Sequence, residues 1–180
     1  MSTPNATNPT PDAVALMIFD VDGVLTDGTI TYFNGGDESK NFHTQDGLGL
    51  RAAITSGLKV AVVTARQSDL VDYRMSELGV HEVVQGCKDK AKEVARLAEA
   101  LGVPLERAAY LGDDLVDLPA MERVGYPMAV ADAAPEVRDA AVFVTARPGG
   151  RGAAREAVEH VLRARGKWDA VVAAYRRAEA

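Results

Sequence analysis

Cysteine is nearly absent from this chain: Cys87 is the only one in 180 residues. A lone thiol closes no internal disulfide, so the fold needs no oxidising compartment. Long apolar runs are missing too, since no stretch approaches the roughly 20 residues of a membrane-spanning helix. Nor is there a basic excess: 20 Lys and Arg stand against 26 Asp and Glu, a net charge of −6. Phosphate-backbone binding needs concentrated Lys and Arg, so nucleic acid is not an expected partner. The C-terminal "RGAAREAVEHVLRARGKWDAVVAAYRR" is locally basic, but its sign alternates as on a solvated helix face. The start, "MSTPNATNPTPD", has neither the basic region nor the apolar core of a signal peptide, so the expected location is cytoplasmic, with no membrane partner. His43, His81 and His160 do not fall at metal-ligand spacing and read as structural. Cys87 has no histidine at catalytic spacing and reads as a bystander.

What is present is ordinary for a soluble globular protein: 47% hydrophobic and 26% charged residues, enough for one domain with a substantial core. Residues 1–12 are rich in Pro, Thr and Asn and read as a disordered tail. Beyond them, short apolar runs at 14–19, 59–64, 108–112, 126–130 and 141–145 read as buried strands, with a shorter one near 82–84. Helix candidates lie between and after them, at 46–57, 67–78, 88–101, 115–123, 135–140 and 151–165. Apolar runs without period-2 alternation, separated by helices, indicate a parallel sheet covered on both faces. The expected fold is a Rossmann-like, doubly wound α/β domain over 13–165, with 166–180 as a tail for which a helix is one reading. One stretch breaks the alternation: "GTITYFNGGDESKNFHT", 28–44, has two extended halves around "NGGDE" and reads as a β-hairpin inserted after the first strand.

In such a sheet, ligands bind beyond the carboxyl ends of the strands. The first run ends in Asp20-Val21-Asp22, the second in Thr64-Ala65-Arg66, and "YLGDD" runs into Asp113, Asp114 and then Asp117. "QGCKDK" adds Lys88 and Lys90 near a helix start. Acids crowded in this way repel one another unless a cation joins them, and a site of few oxygen ligands suits Mg²⁺. Thr, Lys and Arg hold and neutralise a phosphoryl group. The collection points to phosphoryl transfer on a small molecule.

"DVDGVLTDG", "VVTAR", "QGCKDK" and "YLGDDLVD" resemble, in order, the four motifs of haloacid dehalogenase-like phosphatases, over about residues 14–165. The hairpin with "FHTQDGLGL", "AVADAAPEVRDAA" and "GGRGAAREAVEHVL" narrow the resemblance to the small tetrameric members that hydrolyse 3-deoxy-D-manno-octulosonate 8-phosphate (KDO 8-phosphate). The resemblance implies that Asp20 is the nucleophile of an aspartyl-phosphate pathway. Asp22, roughly 6.6 Å further along an extended chain, would serve as general acid and base. It also implies Mg²⁺ on Asp20, the Asp22 backbone carbonyl and Asp113, with Thr64 on the phosphoryl oxygens and Lys90 balancing charge. Lys90 is chosen over Lys88 by the family spacing. Asp117 would orient the metal shell or Lys90, a task Asp114 could share.

Substrate contacts are expected from Asp22, Thr64, Arg66, Arg74, Lys90 and Arg151. The family uses the arginine at 66 to meet the substrate's carboxylate, and a solvent-exposed helix-start residue is the alternative for it. Arg74 is also readable as a surface charge, and Arg151 as helix punctuation. Asp27 reads as a turn or cap residue in "TDG". Where the family carries Gly, this chain has Ala65. No large cap domain fits between Asp22 and Lys59. Closure over the site is therefore expected from a homotetramer whose hairpins pair, giving the apolar "TITYF" a partner. The alternatives are a phosphatase for a nine-carbon sugar acid 9-phosphate and, more distantly, a non-enzymatic interaction module on the same fold. A receiver domain fails on the order in which its acids occur.

Overall fold

The computed structural model describes residues 10–178. Its order along the chain is β1 (Leu16–Phe19), β2 (Thr31–Tyr32), β3 (Glu38–Ser39), α1 (Thr44–Thr55), β4 (Lys59–Val63), α2 (Asp69–Leu78), β5 (Glu82–Val84) and α3 (Lys90–Ala100). Then come β6 (Ala108–Gly112), α4 (Leu118–Met121), β7 (Tyr126–Ala129), α5 (Pro135–Ala140), β8 (Phe143–Val144), α6 (Ala153–Ala164) and α7 (Trp168–Ala178). Six strands form one sheet in the order β5-β4-β1-β6-β7-β8, with every pairing parallel. The four residues of β1 are wholly buried. That is why "LMIF" carries no polar position: a central parallel strand has no wet face. Helices flank the sheet, with α1 packed on α6 and α3 on α4. This is the doubly wound α/β fold expected from the strand and helix pattern.

The chain leaves β1 for β4 and β5 on one side and returns to β6 on the other, so the strand order reverses at β1. Register then fixes the site. Phe19 lies opposite Val62 of β4 and Leu111 of β6. The residues just beyond, Asp20, Thr64 and Asp113, therefore emerge side by side on strands about 4.8 Å apart.

The segment expected to be a hairpin across 28–44 is a two-stranded ribbon of only two residues per strand. Its tip closes through Phe33 N–H on the Asp37 carbonyl (2.9 Å) and Gly36 N–H on the Phe33 carbonyl (2.9 Å). Ile30, Tyr32 and Phe33 lie exposed on it. The helix expected over 115–123 splits into a 3₁₀ turn, Leu115–Asp117, and the single-turn α4. A capping box between Asp114 and Asp117 starts that turn, and Pro119 follows in the first turn of α4. The N-terminal expectation lies mostly on residues 1–9, outside the described residues; Pro11–Ala13 forms a 3₁₀ turn. No helix among the described residues is long and apolar enough to cross a membrane.

Asp46 joins two helix starts. It lies in the first turn of α1, and its oxygens accept the Gly152 N–H (3.1 Å) and the Arg155 N–H (2.9 Å) at the start of α6. One buried carboxylate thus faces the positive ends of two packed helices and satisfies two donors that neither helix satisfies alone. Asp46→Ala should destabilise the protein by about 2–3 kcal/mol in chemical denaturation, since it strands both amides. Asp37→Ala at the exposed hairpin tip should stay within about 0.5 kcal/mol.

Candidate active site

A cavity of about 160 Å³ opens at the carboxyl edge of β1, β4 and β6, lined by Asp20, Asp22, Thr64, Arg66, Lys90 and Asp113 among others. Larger hollows lie at Gln45–Arg147–Glu159, at Trp168–Tyr175 and at Arg163–Asp169, but none of the three holds a carboxylate with an unpartnered buried oxygen. The chemistry sits in the smaller cavity.

Its floor is a chain of buried charges. Asp20 continues the β1 ladder by donating its N–H to the Leu111 carbonyl (3.1 Å). Its Oδ2 lies 3.0 Å from Lys90 Nζ. Lys90 opens α3 and is buried, whereas Lys88 is exposed, so only Lys90 reaches the acids. Nζ also donates to Asp117 Oδ1 (2.7 Å), and the Tyr110 hydroxyl donates to the same oxygen (2.7 Å). Asp117 Oδ2 accepts the backbone N–H groups of Asp113 (2.9 Å) and Asp114 (3.4 Å). Gly112 makes this possible: a Cβ there would lie 2.6 Å from that of Asp117. Gly23, with φ +93°, brings the loop after β1 so near that a Cβ would collide with the Asp113 carboxylate.

Candidate ligand oxygens of Asp20, Asp113 and Asp117 lie within 4.8 Å of one another, and one lysine faces all this charge. Burial first, then the charge of Asp117, raises Asp20 to about 7 against the pull of Lys90. Burial, then Asp117 and Asp20, raises Asp113 to about 8. Burial alone would lower Lys90, but Asp20 and Asp117 together carry it above the ordinary lysine value.

A hard divalent cation fits here. Asp20 Oδ1 and Asp113 Oδ1 are buried and accept no hydrogen bond. The Asp22 backbone carbonyl, the third expected ligand, accepts none either among the described residues. Asp117 belongs to the same acidic cluster but has donors on both oxygens, so it orients Lys90 and the Asp113 loop rather than offering a free ligand atom. Asp114 lines the cavity and caps the turn after β6 through the Leu115 N–H (2.8 Å). Thr64 is buried, with its N–H on the Val84 carbonyl (2.9 Å). No described residue other than glycine has positive φ, so Ala65 occupies the loop after β4 without backbone strain.

The hairpin supplies what sequence reasoning missed. Lys40, with its side chain 3% exposed, pairs with Asp22 Oδ1. Arg66 Nη2 donates to Glu38 Oε2 (3.0 Å) and to the Tyr32 hydroxyl (3.3 Å), while Nε lies 3.7 Å from Asp22 Oδ2. The available signal was the spacing of Glu38 and Lys40, two apart on an extended arm and so on one side of it. Tyr110 gave no signal beyond membership of an apolar strand. Two expected substrate arginines are not among the cavity's lining residues. Arg74 pairs with Glu77 (3.2 Å) beside Gly47, and Arg151 lies 3.5 Å from Asp27, which itself accepts the Thr29 N–H in a turn.

Comparison with known proteins places this geometry in context. The haloacid dehalogenase-like hydrolase profile matches residues 68–155. The 3-deoxy-D-manno-octulosonate 8-phosphate phosphatase KdsC of Escherichia coli K12 is 46% identical over 156 residues, 87% of this chain and 83% of its own. The corresponding phosphatase of Moraxella catarrhalis, solved with magnesium, phosphate and KDO, superposes with a TM-score of 0.89 at 40% identity, over 92% of this chain and 95% of that one. The cobalt-bound Haemophilus influenzae phosphatase gives 0.85 at 39%, over 87% and 92%.

Asp20 and Asp113 both stand above the 3.8 of an exposed aspartate. The cation-free folded chain therefore keeps their protons through a range in which the unfolded chain releases them. The stability these two carboxyls contribute falls as pH rises from about 4 to about 8, and that loss is complete above it. A bound divalent cation offsets this loss. Thermal melts in EDTA and in Mg²⁺ should show a larger gain in Tm from Mg²⁺ near pH 9 than near pH 5. Equal gains at both pH values would contradict the crowding argument.

Proposed function

The chain belongs to the haloacid dehalogenase-like hydrolases, and from that premise we propose how its residues act. It is a Mg²⁺-dependent phosphomonoester hydrolase, and its substrate is KDO 8-phosphate. The observation that carries this is the pairing of Asp20 and Asp113 beside Lys90, each with a buried unpartnered oxygen, in a chain so near to the phosphatases of that substrate.

Asp20 attacks phosphorus and the bond to the sugar oxygen breaks, leaving an aspartyl-phosphate. Asp22 gives its proton to the departing oxygen. It then takes a proton from the water that attacks the aspartyl-phosphate, which frees phosphate and restores Asp20. Lys90 holds the Asp20 carboxylate in place and offsets phosphoryl charge, while the Thr64 hydroxyl donates to a phosphoryl oxygen. Mg²⁺, when bound by Asp20, Asp113 and the Asp22 carbonyl, supplies positive charge to the nucleophile and the phosphoryl oxygens. Arg66 receives the substrate's carboxylate at the far end.

The assembly extends this reading. The exposed Ile30, Tyr32 and Phe33 and the open cavity are both accounted for by a homotetramer whose hairpins pair and roof neighbouring sites, working in the cytoplasm.

With Mg²⁺ the protein should hydrolyse KDO 8-phosphate, and EDTA should abolish turnover. Asp20→Asn should lower kcat by at least about 10³-fold. Comparable kcat/KM on unrelated sugar phosphates, or an Asp20→Asn variant keeping a tenth of the rate, would overturn the assignment. Sedimentation velocity tests the assembly separately: the wild type should run as a tetramer and Phe33→Asp as smaller, less active species, whereas an active wild-type monomer would refute it.

A further inference from the structure

Arg66 already holds a carboxylate. Glu38, on the return arm of the hairpin, sits 3.0 Å from Nη2, the nitrogen that also donates to Tyr32, while Nη1 makes no hydrogen bond among the described residues. Two residues on, Lys40 pairs with Asp22, and Asp22 lies beside Arg66 Nε. Asp22, Glu38, Lys40 and Arg66 thus form a group of two acids and two bases in which Glu38 already pairs with Arg66 before any ligand arrives. A substrate carboxylate arriving at Arg66 meets no net positive charge there. It meets a group of its own kind in the place it needs.

The four members are not held alike. Asp22 follows the buried β1, and Arg66 is tied by its N–H to the Thr64 hydroxyl oxygen (3.3 Å) just beyond β4. Glu38 sits on a ribbon with two residues per strand and an exposed apolar tip. It is therefore the partner that can withdraw at least cost. The Ser68 hydroxyl holds its carboxyl below the ordinary range against the push of burial, and Lys40 and then Arg66 add smaller pulls in the same direction as Ser68. At neutral pH the contest at Arg66 is one anion against another.

We propose that Glu38 is a specificity-determining residue, an internal stand-in for the substrate's carboxylate that competes with a carboxylated sugar phosphate for Arg66. The inference rests on the reading that Arg66 receives that carboxylate. Glu38 sets a threshold for carboxylated ligands and none for phosphate esters that lack the group.

The test uses the Mg²⁺-loaded enzyme, with p-nitrophenyl phosphate as a carboxylate-free substrate and free KDO as competitive inhibitor. Glu38→Gln removes the charge but keeps an acceptor for Arg66, and Glu38→Ala removes both. Each should lower the Ki of KDO about two- to fivefold, the scale of a partly exposed ion pair. The KM for p-nitrophenyl phosphate should stay within twofold. A Ki unchanged in both variants overturns the proposal. So does a Ki raised in Glu38→Ala but not in Glu38→Gln, which would make Glu38 an orienting partner of Arg66. An equal fall in both constants overturns it too, by showing a general effect on anions. If KDO inhibits neither wild type nor variant, the proposal falls as well, and wild-type turnover of KDO 8-phosphate reads separately whether the substrate assignment falls with it.

Discussion

Three carboxylates, Asp20, Asp113 and Asp117, share the buried end of a parallel sheet with one ammonium. Buried charge is tolerated only where it is paired or hydrogen-bonded, and here the pairing is incomplete by design of the fold. Asp117 takes the full donor set: Lys90, Tyr110 and two backbone amides. That leaves Asp20 and Asp113 each with a free oxygen facing the cavity. The asymmetry is what makes the site. A fifth donor turned toward Asp113 would have quenched the charge deficit that recruits a cation and, with it, a phosphate. The sheet holds this imbalance because β1 and β6 are buried and cannot relax outward.

The same constraint explains which parts could be read from the sequence. Asp20, Thr64 and Asp113 were legible because strand ends in a doubly wound sheet are where polar residues interrupt apolar runs. Their convergence follows from strand order alone. Lys90 could be preferred to Lys88 only by analogy, and its burial at the first position of α3 gives the physical reason. Tyr110 was invisible, because a tyrosine in "AAYLG" looks like any core residue until its hydroxyl is seen on Asp117. Arg74 and Arg151 were expected at the substrate, yet each is paired with an acid outside the cavity's lining. Helical and loop positions far along the chain carry no register that ties them to a strand end.

The hairpin was legible as a hairpin and as an apolar surface wanting a partner. Its inward side was not. Glu38 and Lys40 are ordinary solvated residue types, and nothing in "DESK" distinguishes a solvent-facing arm from one folded over a cavity. Only the structure shows a ribbon that exposes Tyr32 and Phe33 while sending a buried ammonium to Asp22. One short insertion thereby serves two surfaces at once. Any partner that grips the apolar side also fixes where the charged side rests.

The site consequently divides into a half held by the sheet and a half held by the ribbon. Asp20, Lys90, Asp113 and Asp117 are set by sheet and helix, at the end that the proposed mechanism gives to the phosphoryl group. Glu38, Lys40 and the guanidinium of Arg66 are set by the ribbon, at the end that the proposed function gives to the substrate's carboxylate. Asp22 belongs to both, two residues from Asp20 and paired with the hairpin's lysine. The group that gives and takes the proton in the proposed mechanism is therefore touched by whatever occupies the recognition end. A ligand that displaces Glu38 changes the charge around Asp22 at the moment chemistry begins, so recognition of one end of the molecule and proton transfer at the other act through a single side chain. In a fold without a large cap domain, this is a way for a small insertion to make turnover depend on the identity of the leaving group.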